Sequence, residues 1–247
     1  MIKDDLGNRM KENYENRSKV FLPRRAYTIL RIDGKAFHTY TKGLVRPFDD
    51  GLIEDMDHTA QHLCKKIMGA KFAYTQSDEI SILVTDFDTY TTDAWFDNSV
   101  QKMVSISASM ATACFNRQRY VRYLTEKSNL LEGYLTPLKD AEFDSRVFQI
   151  PCRFEVENYF RWRQLDCIRN SIASLAQSLY SPKQLHGKNT REQQDMIHEK
   201  GQNWNDLDPK YKIGRFITKS SITTLDFLRK NGDIIEHDLL NYIPEMV

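Results

Sequence analysis

The sequence predicts an α+β fold with a mainly antiparallel sheet flanked by helices. Helix and strand patterns follow one another in mixed order along the 247 residues. Two apolar segments, 72–74 and 80–84, are separated by a polar segment too short for anything but a tight hairpin. A hairpin within a mixed order is typical of α+β proteins rather than of parallel α/β folds.

Hydrophobic periodicity and stop signals place the helices. A helix predicted over residues 3–19 carries Leu6, Met10 and Tyr14 on one apolar face and is stopped by Pro23. Another spans residues 51–68 and ends at Gly69. Further helices are predicted at 95–118, at 156–180 and, within a loop-rich arm at 181–215, at 191–199. The buried face predicted for the helix at 156–180 consists of Tyr159, Trp162, Ile168, Ile172, Leu175 and Leu179.

Strands are predicted where β-branched and aromatic residues concentrate. Residues 26–32 read AYTILRI and are followed by the turn signal Asp33-Gly34, and residues 146–150 form a strand that Pro151 ends. The last thirty or so residues predict a strand, a turn at Asn231-Gly232 and a second strand. A turn-rich stretch at 128–145 predicts a loose boundary between a portion 1–137 and a portion 138–247.

Composition excludes several classes of protein. The net charge of +1 gives no general basic surface, so any nucleic-acid surface must come from Lys and Arg gathered on one face. The charged N-terminus is no signal peptide, and no stretch approaches the ~18 apolar residues of a membrane span. The four cysteines form no CxxC pair, which favours reduced thiols in a soluble, cytoplasmic protein without a membrane partner.

Two acidic constellations indicate chemistry. Asp33 ends an apolar strand and precedes Gly34, which would let a phosphate or metal approach the backbone closely. Asp78 and Glu79 lie at the tip of the predicted hairpin, where adjacent carboxylates repel unless a cation offsets them. A plain turn explains either constellation taken alone.

Together the two constellations predict a metal site. If their strands are neighbours, Asp33 and Asp78 converge at one edge of the sheet, and their oxygens suit Mg²⁺. Two such ions would stabilise the attacking and leaving oxygens of phosphoryl transfer, the geometry used by polymerase palms and nucleotidyl cyclases. Basic residues that could clamp a triphosphate are Lys35, Lys42, Arg46 and Lys102, although each alone is explained as a surface charge.

Other patterns are weaker. The segment 159–166, YFRWRQLD, interleaves aromatics with Arg as RNA-binding surfaces do, but its spacing favours a helix with a buried aromatic stripe. His58 and His62 lie four residues apart on a helix without a third ligand, which favours a polar face over a metal site. Cys114 lacks an adjacent base and is expected to be a buried thiol.

Five segments resemble the tRNA-His guanylyltransferase family: RIDGKAFHTYTKG, AYTQSDEISIL, FDSRVFQIP, YFRWRQLDCIRNS and KGQNWND. They occur in the family's order and cover roughly residues 25–215. The resemblance implies a polymerase-palm-like (ferredoxin-like) catalytic portion over 1–137 and a helical, loop-rich tRNA-binding portion over 138–247. It implies an enzyme that adds nucleotides to the 5′ end of tRNA in the 3′→5′ direction, and it suggests a homotetramer.

The resemblance also implies roles for residues. Asp33, the carbonyl of Gly34 and Asp78 would hold two Mg²⁺ ions, with Glu79 supporting the site. ATP would activate a 5′-monophosphate end, and the 3′-hydroxyl of GTP or another nucleoside triphosphate would then attack it. The residues implied to contact the nucleotide are Asp33, Gly34, Lys35, Ala36, Phe37, His38, Ser77 and Asp78, with Lys42, Arg46 and Lys102 as triphosphate contacts.

One departure decides between branches of the family. Where eukaryotic guanylyltransferases carry His-Ile-Asn-Asn-Leu-Tyr-Asn, residues 168–174 read IRNSIAS. This favours the bacterial and archaeal guanylyltransferase-like branch, which repairs 5′-truncated tRNAs using the opposite acceptor strand as template. The alternatives are a guanylyltransferase dedicated to tRNA-His, a palm-fold nucleotidyl cyclase that uses nucleotides alone, and a non-catalytic RNA-binding module.

Overall fold

The computed structural model describes residues 5–129, 139–228 and 239–246. At its centre lies one six-stranded sheet in the order β4-β1-β3-β2-β5-β6, whose neighbouring strands all pair antiparallel. The predicted α+β class and antiparallel sheet are therefore confirmed. The strands are Tyr27–Gly34 (β1), Ala70–Gln76 (β2), Glu79–Val84 (β3), Phe143–Ile150 (β4), Arg215–Ile217 (β5) and Ile222–Thr223 (β6).

Helices flank this sheet on both faces. The α-helices are Asp5–Met10 (α1), Phe37–Tyr40 (α2), Asp50–Lys66 (α3), Val100–Asn129 (α4), Arg153–Leu179 (α5), Pro182–Leu185 (α6), Thr190–Glu199 (α7) and Pro209–Lys212 (α8). Short 3-10 or π segments lie at Lys11–Glu15, Asn16–Ser18, Trp95–Asn98, Trp204–Asp206 and Leu239–Tyr242. Within the described ranges, no helix is both long and apolar enough to cross a membrane.

The connections follow the ferredoxin-like pattern. Helix α3 joins β1 to β2, a tight hairpin joins β2 to β3, and α4 joins β3 to β4. The resulting order β4-β1-β3-β2 inserts β3 between β1 and β2, which is the split βαβ arrangement. Because β3 lies beside β1, the hairpin tip is brought next to the C-terminal end of β1.

Local sequence explains the bounds of α3. The Asp49 side chain caps its N-terminus by accepting a hydrogen bond from Leu52 N at 2.7 Å. Met56, Ala60 and Leu63 on its inner face are fully buried. Gly69 follows the helix with a φ of 80°, and a Cβ there would lie 2.2 Å from the Thr85 carbonyl oxygen. Only glycine fits this turn into β2.

Two apolar layers cover the sheet. Side chains of β1 and β3 that include Leu30, Ile32, Ile80 and Ile82 pack with α3 and α4 on one face. On the other face, Tyr27, Ile29, Phe72, Tyr74 and Phe216 pack with α5 and with the C-terminal segment. Asp33 alternates with Ile32 along β1, so its side chain lies on the α5 face.

The predicted N-terminal helix is present, but its apolar face is not buried. The chain is helical from Asp5 to Ser18, passing through α, π and 3-10 geometry. Leu6, Met10 and Tyr14 are 61%, 41% and 68% exposed. Periodicity identified the helix correctly, and the apolar face that it defines is open to solvent in the structure.

Two further helix predictions need correction. The helix predicted from residue 95 begins at Val100, because Phe96, Asp97 and Asn98 adopt left-handed φ values of 52°, 51° and 57°. Trp162 does not lie in the buried face of α5, since it is 49% exposed and its ring packs against the guanidinium of Arg163.

The stretch 181–215 is more ordered than the predicted loop-rich arm. It contains α6, α7, a 3-10 turn and α8, and the helix expected at 191–199 is confirmed as α7. Ile197 of α7 packs against Ile172, Leu175 and Ala176 of α5. This satellite core fixes the segment against α5.

Strands from both sides of the predicted boundary share the sheet. β4, β5 and β6 come from the portion 138–247, and β4 pairs with β1 along the whole strand. Of the strand predicted before the turn at 231–232, the structure contains only the short β6, and residues 224–228 are not in a strand. Gly133, Pro137 and the turn at Asn231-Gly232 lie outside the described residues. Of the region in which a strand was expected after that turn, residues 239–246 are described, and they contain a 3-10 turn at Leu239–Tyr242 in place of a strand.

Candidate active site

The C-terminal end of β1 meets the tip of the β2–β3 hairpin. Asp33 lies opposite Glu79 of β3 and Asp144 of β4 in the sheet register. The backbone N–H of Gly34 donates to the carbonyl of Asp78 at 3.1 Å. The structure thus brings together Asp33, Gly34 and Asp78, as the sequence predicted from neighbouring strands.

The hairpin tip holds Asp78 in a defined position. Ser77 adopts a left-handed φ of 47°, which suits a two-residue connection between antiparallel strands. Its hydroxyl donates to Oδ1 of Asp78 at 2.9 Å. The carboxylate is therefore oriented by its own turn rather than by a distant partner.

Negative charge at this edge is only partly neutralised. Burial above all, together with the nearby Asp33, raises the pKa of Asp78 to about 6, against the lowering effect of the Ser77 hydrogen bond. Burial also raises the pKa of Asp33, against the opposing effect of Arg31. Among the described residues, the cation paired with Asp33 is Arg146, 3.8 Å away, and none forms an ion pair with Asp78.

These groups fit a divalent cation. Two carboxylates and the carbonyl of Gly34 are hard oxygen donors of the kind that Mg²⁺ prefers, and their unbalanced charge favours a cation. Within the described chain, no group of three or more His, Cys, Asp or Glu side chains could hold a metal. The remaining ligands would have to come from water or from a phosphate group.

Packing gives a second reason for glycine at position 34, besides the predicted approach of a ligand. A Cβ built on Gly34 would lie 2.2 Å from Cδ2 and 2.4 Å from Cε2 of Phe37. The Phe37 ring is 5% exposed and packs among Tyr40, Phe115 and Phe143. The glycine therefore makes room for a core aromatic ring, in addition to any approach by a ligand.

The segment after β1 divides between structural and open positions. Ala36 adopts a left-handed φ of 52° at the start of α2 and turns Phe37 into the core. Lys35 pairs with Glu142 at 2.5 Å and its side chain is largely exposed. His38 is exposed, with its ring 3.1 Å from the Thr39 hydroxyl. Of these side chains, His38 alone lines the cleft described next.

A cleft of about 360 Å³ opens beside the hairpin tip, within the size range of small-molecule sites. Its walls come from the loop after α2, the start of α3, the hairpin, α5 and α8. Tyr211 of α8 stacks on Phe48 and bonds to Asp50, which closes one side. Polar lining residues include His38, Arg46, Asp49, Gln76, Ser77, Asn170, Ser171, Ser174, Gln177, Lys210 and Arg215.

The predicted basic residues separate in the structure. Arg46 lines the cleft, and Lys42 is exposed on the preceding loop. Lys102 lies in the first turn of α4 over the ring of Phe96, near the bridge between Phe21 and Ser99. That bridge is close to the beginning of β1, at the opposite end from Asp33. Within one chain, the structure does not bring Lys102 to the carboxylates.

Several lining residues were not predicted. Gln76 and Arg215 are 3% and 4% exposed, and each has a buried polar atom without a partner, Oε1 and Nη2 respectively. Nε of Arg215 donates to Asp57 of α3 at 2.7 Å. Gln76 adjoins the recognised Ser77-Asp78 pair, whereas Arg215 is distant in sequence and carries no motif that could have revealed it.

Glu79 is fully engaged with cations. Both of its carboxylate oxygens accept hydrogen bonds from Arg163 at 2.7 Å, and Arg31 pairs with Oε2 at 2.8 Å. Glu79 therefore lies beside the Asp33 and Asp78 pair as predicted, but it has two close cationic partners, whereas Asp33 has one at 3.8 Å and Asp78 has none among the described residues.

The remaining sequence candidates stay outside the site. His58 and His62 belong to no metal-binding group in the described part of the chain. The pKa of His62 is lowered by partial burial and by nearby Arg117, Lys66 and Lys65. All four cysteines are free thiols, and Cys114 is buried as expected.

Comparison with known proteins agrees with this geometry. Residues 7–151, more than half of the chain, match the family described as tRNAHis guanylyltransferase. A bacterial tRNA(HIS) guanylyltransferase (Thg1)-like protein solved in complex with ATP superimposes with a TM-score of 0.82 at 43% identity, over 97% of this chain and 99% of that one.

Two other relatives agree with this assignment. A bacterial protein of the same description in complex with GTP superimposes with a TM-score of 0.72 at 44% identity, covering 87% of this chain and 84% of that one. The tRNA(His) guanylyltransferase of Saccharomyces cerevisiae is 25% identical over 92% of each chain. The chain therefore belongs to the tRNA-His guanylyltransferase family, whose members are nucleotidyltransferases acting on the 5′ end of tRNA.

Proposed function

We propose that this enzyme adds nucleotides in the 3′→5′ direction to the 5′ end of truncated tRNAs, using the opposite acceptor strand as template. The observation that carries the proposal is the pairing of two partly buried carboxylates, Asp33 with one distant cation and Asp78 with no ion pair among the described residues, with an adjoining nucleotide-sized cleft. A nucleoside triphosphate in the cleft would have its phosphates near this pair. Relatives at 43% and 44% identity were solved with ATP and GTP.

We propose that Asp33, the carbonyl of Gly34 and Asp78 hold two Mg²⁺ ions. Bound there, Mg²⁺ would offset the charge that develops on the attacking and leaving oxygens of phosphoryl transfer. Arg46 would neutralise part of the triphosphate, and His38 and Ser77 would orient the nucleotide from the cleft wall. Mn²⁺ would occupy the same oxygen ligands in vitro.

The 5′ end of the RNA would need activation by ATP only when it carries a monophosphate. For an RNA with a 5′-triphosphate, the 3′-hydroxyl of the incoming nucleotide attacks the α-phosphorus and pyrophosphate leaves. An RNA with a 5′-monophosphate is first joined to AMP from ATP, releasing pyrophosphate, and AMP then leaves in the attack. Both steps are in-line displacements at phosphorus, so one site serves both.

The repair role is supported by the composition of the cleft wall. Asn170, Ser171 and Ser174 line the cleft and belong to the segment 168–174, which departs from the eukaryotic guanylyltransferase pattern. A changed wall beside the nucleotide supports a changed choice of substrate. The chain also shares 43% identity with the bacterial protein and 25% with the yeast enzyme.

The portion 138–247 would bind the tRNA. Lys183 and Arg191 are exposed on the α6–α7 segment, and Trp162 of α5 is 49% exposed. Cations and an exposed aromatic ring can contact phosphates and stack on bases. By family likeness we also propose a homotetramer in the cytoplasm, which light scattering and imaging of a tagged chain would test.

The proposal is tested by offering the enzyme a 5′-truncated tRNA with a 5′-triphosphate, Mg²⁺ and each nucleoside triphosphate in turn. Variants Asp33→Ala and Asp78→Ala should lose extension while staying folded. Asp144→Ala is the matched control, because Asp144 is the exposed neighbour of Asp33 in β4 and should keep most activity. The base added should follow the template position when that position is changed.

Other outcomes would point to the alternatives. Addition of G alone, and to tRNA-His alone, would identify a dedicated guanylyltransferase and overturn the repair role. Consumption of nucleotide without any extended RNA would favour a cyclase. RNA binding that neither needs metal nor changes in Asp78→Ala, without any turnover, would favour a non-catalytic binding module.

A further inference from the structure

A buried ionic network joins α5 to the start of β3. Glu79 and Arg163 have side chains only 6% and 4% exposed, and two parallel hydrogen bonds of 2.7 Å connect them. Arg31 adds a contact of 2.8 Å to the same carboxylate, and Ser81 donates to it at 3.2 Å. A planar guanidinium that bonds a carboxylate twice fixes its orientation as well as its charge.

Glu79 links the two proposed metal ligands. It directly follows Asp78 in the chain, and it lies opposite Asp33 in the β1–β3 register. A shift in the backbone of Glu79 would therefore change the relative position of both carboxylates. Arg163 lies in α5, which packs on the sheet, and it bonds to Glu79 at the start of β3. The network therefore fixes the position of the hairpin relative to α5.

The outer end of the network reaches the cleft. Nη2 of Arg163 also donates to Asp166 at 2.7 Å, and Asp166 accepts a hydrogen bond from Asn170 at 3.4 Å. Asn170 lies in the cleft wall. The guanidinium carbon of Arg163 lies 4.4 Å from the centroid of the Trp162 ring. This contact limits the movement of the guanidinium.

We propose that Arg163 is a positioning residue, which holds Glu79 so that Asp33 and Asp78 keep the spacing needed to bind metal. This proposal rests on the proposed metal-dependent nucleotidyl transfer. Arg163 would act through Glu79 and not on the substrate, because its side chain is buried and two of its nitrogens already bond carboxylates. Residues that orient metal ligands in this way typically change metal affinity by about 10- to 100-fold when replaced.

The test measures Mn²⁺ binding to the full chain by the EPR signal of the free ion. Arg163→Gln should raise the Mn²⁺ dissociation constant by about tenfold. Arg169→Gln is the matched control: Arg169 bonds the same Asp166 from the solvent side, is 60% exposed and makes no contact with Glu79. Its Mn²⁺ affinity should stay within about twofold of wild type. The Mn²⁺ binding that is lost in Asp78→Ala is assigned to the site of Asp33 and Asp78.

A double variant separates positioning from direct contact. If Arg163 acts through Glu79, then Glu79→Gln with Arg163→Gln should weaken Mn²⁺ binding by less than the product of the two single effects. In Arg163→Gln, Glu79 keeps Arg31 as a partner, and in Glu79→Gln, Arg163 keeps Asp166, whereas Glu79→Gln, alone or in the double variant, takes the carboxylate partner away from Arg31. Urea unfolding of each variant shows that the proteins compared are folded.

Each result has a distinct meaning. Wild-type Mn²⁺ affinity in Arg163→Gln, or multiplicative effects in the double variant, would overturn the positioning role. An increase in the nucleotide KM alone would instead make Arg163 a direct substrate contact. A wild-type chain that binds Mn²⁺ at Asp78 but extends no RNA would overturn only the proposed function, whereas one that binds no Mn²⁺ would overturn both.

Discussion

Replacing Gly34 with Ala tests why glycine follows the first acidic residue of the site. The added Cβ would lie 2.2, 2.4 and 2.8 Å from Cδ2, Cε2 and Cγ of Phe37. Carbon atoms in contact normally stay about 3.5–4 Å apart. The ring cannot swing away freely, because Tyr40 and Phe143 pack against it with centroids 4.8 and 5.3 Å away.

The size of the effect follows from overpacking. Forcing a methyl group into a filled core costs typically 1–3 kcal/mol, and three contacts under 3 Å place Gly34→Ala near the upper value, about 3 kcal/mol. Alanine also restricts the unfolded chain, which returns about 0.5–1 kcal/mol. The free energy of unfolding should therefore fall by about 2 kcal/mol.

Urea unfolding followed by circular dichroism measures this loss. Gly51→Ala is the matched control, since a Cβ on Gly51, in the first turn of α3, would come no closer than 3.0 Å to another atom, Cδ of Arg122 in α4. That variant should be about as stable as wild type, or slightly more stable. In a Phe37→Leu background, the Gly34→Ala change should cost less, because the smaller side chain leaves room for the methyl group.

The result that would refute this reasoning is a fully stable Gly34→Ala variant that no longer binds Mn²⁺ or nucleotide. Glycine would then be needed only for the close approach of a ligand, as the sequence alone suggests. Loss of stability together with relief by Phe37→Leu would instead establish the packing role.

Three other predictions follow from charge at the site. Because burial and Asp33 raise the pKa of Asp78 to about 6, and metal needs the carboxylate, Mn²⁺ affinity measured by EPR should be level above about pH 7 and weaken below about pH 6; a flat profile would contradict this. A raised pKa means that the metal-free protein loses stability as the pH rises through about 6, where the buried Asp78 ionises. In the presence of a chelator, Asp78→Asn should therefore raise the free energy of unfolding at pH 7.5 by about 2 kcal/mol, and should give no gain at pH 3, where the carboxyl group is protonated. Arg46→Ala should raise the KM for nucleoside triphosphate about tenfold in steady-state assays, whereas Lys102→Ala should leave it unchanged, and equal effects would show that both reach the substrate.

The sequence predicted the sheet and the meeting of Asp33 with Asp78 because both depend on local patterns. Runs of β-branched and other apolar residues define β1 and β3, and a two-residue hairpin forces β2 and β3 together. Once β3 is placed beside β1, the acidic ends must lie close. The metal ligation itself remains a prediction, because the donor groups are in place but their occupancy is a separate question.

What the sequence did not predict depends on contacts between distant residues. Periodicity showed that Leu6, Met10 and Tyr14 share a helix face, but no local pattern says whether another element covers that face. The pairing of Arg215 with Asp57 joins residues 158 positions apart, so it is visible only in the fold. The left-handed residues before α4 likewise belong to a turn without the glycine or proline that usually marks one.

The position of β1 in the sheet has a consequence for synthesis of the chain. β1 is hydrogen-bonded on one side to β3 and on the other to β4, which is made only after residue 143 has been added. Pairings between such distant segments close large loops and form late. A ribosome-bound chain that ends before β4 therefore leaves one edge of the Asp33 strand open, exposed to pairing with other chains until the fourth strand emerges.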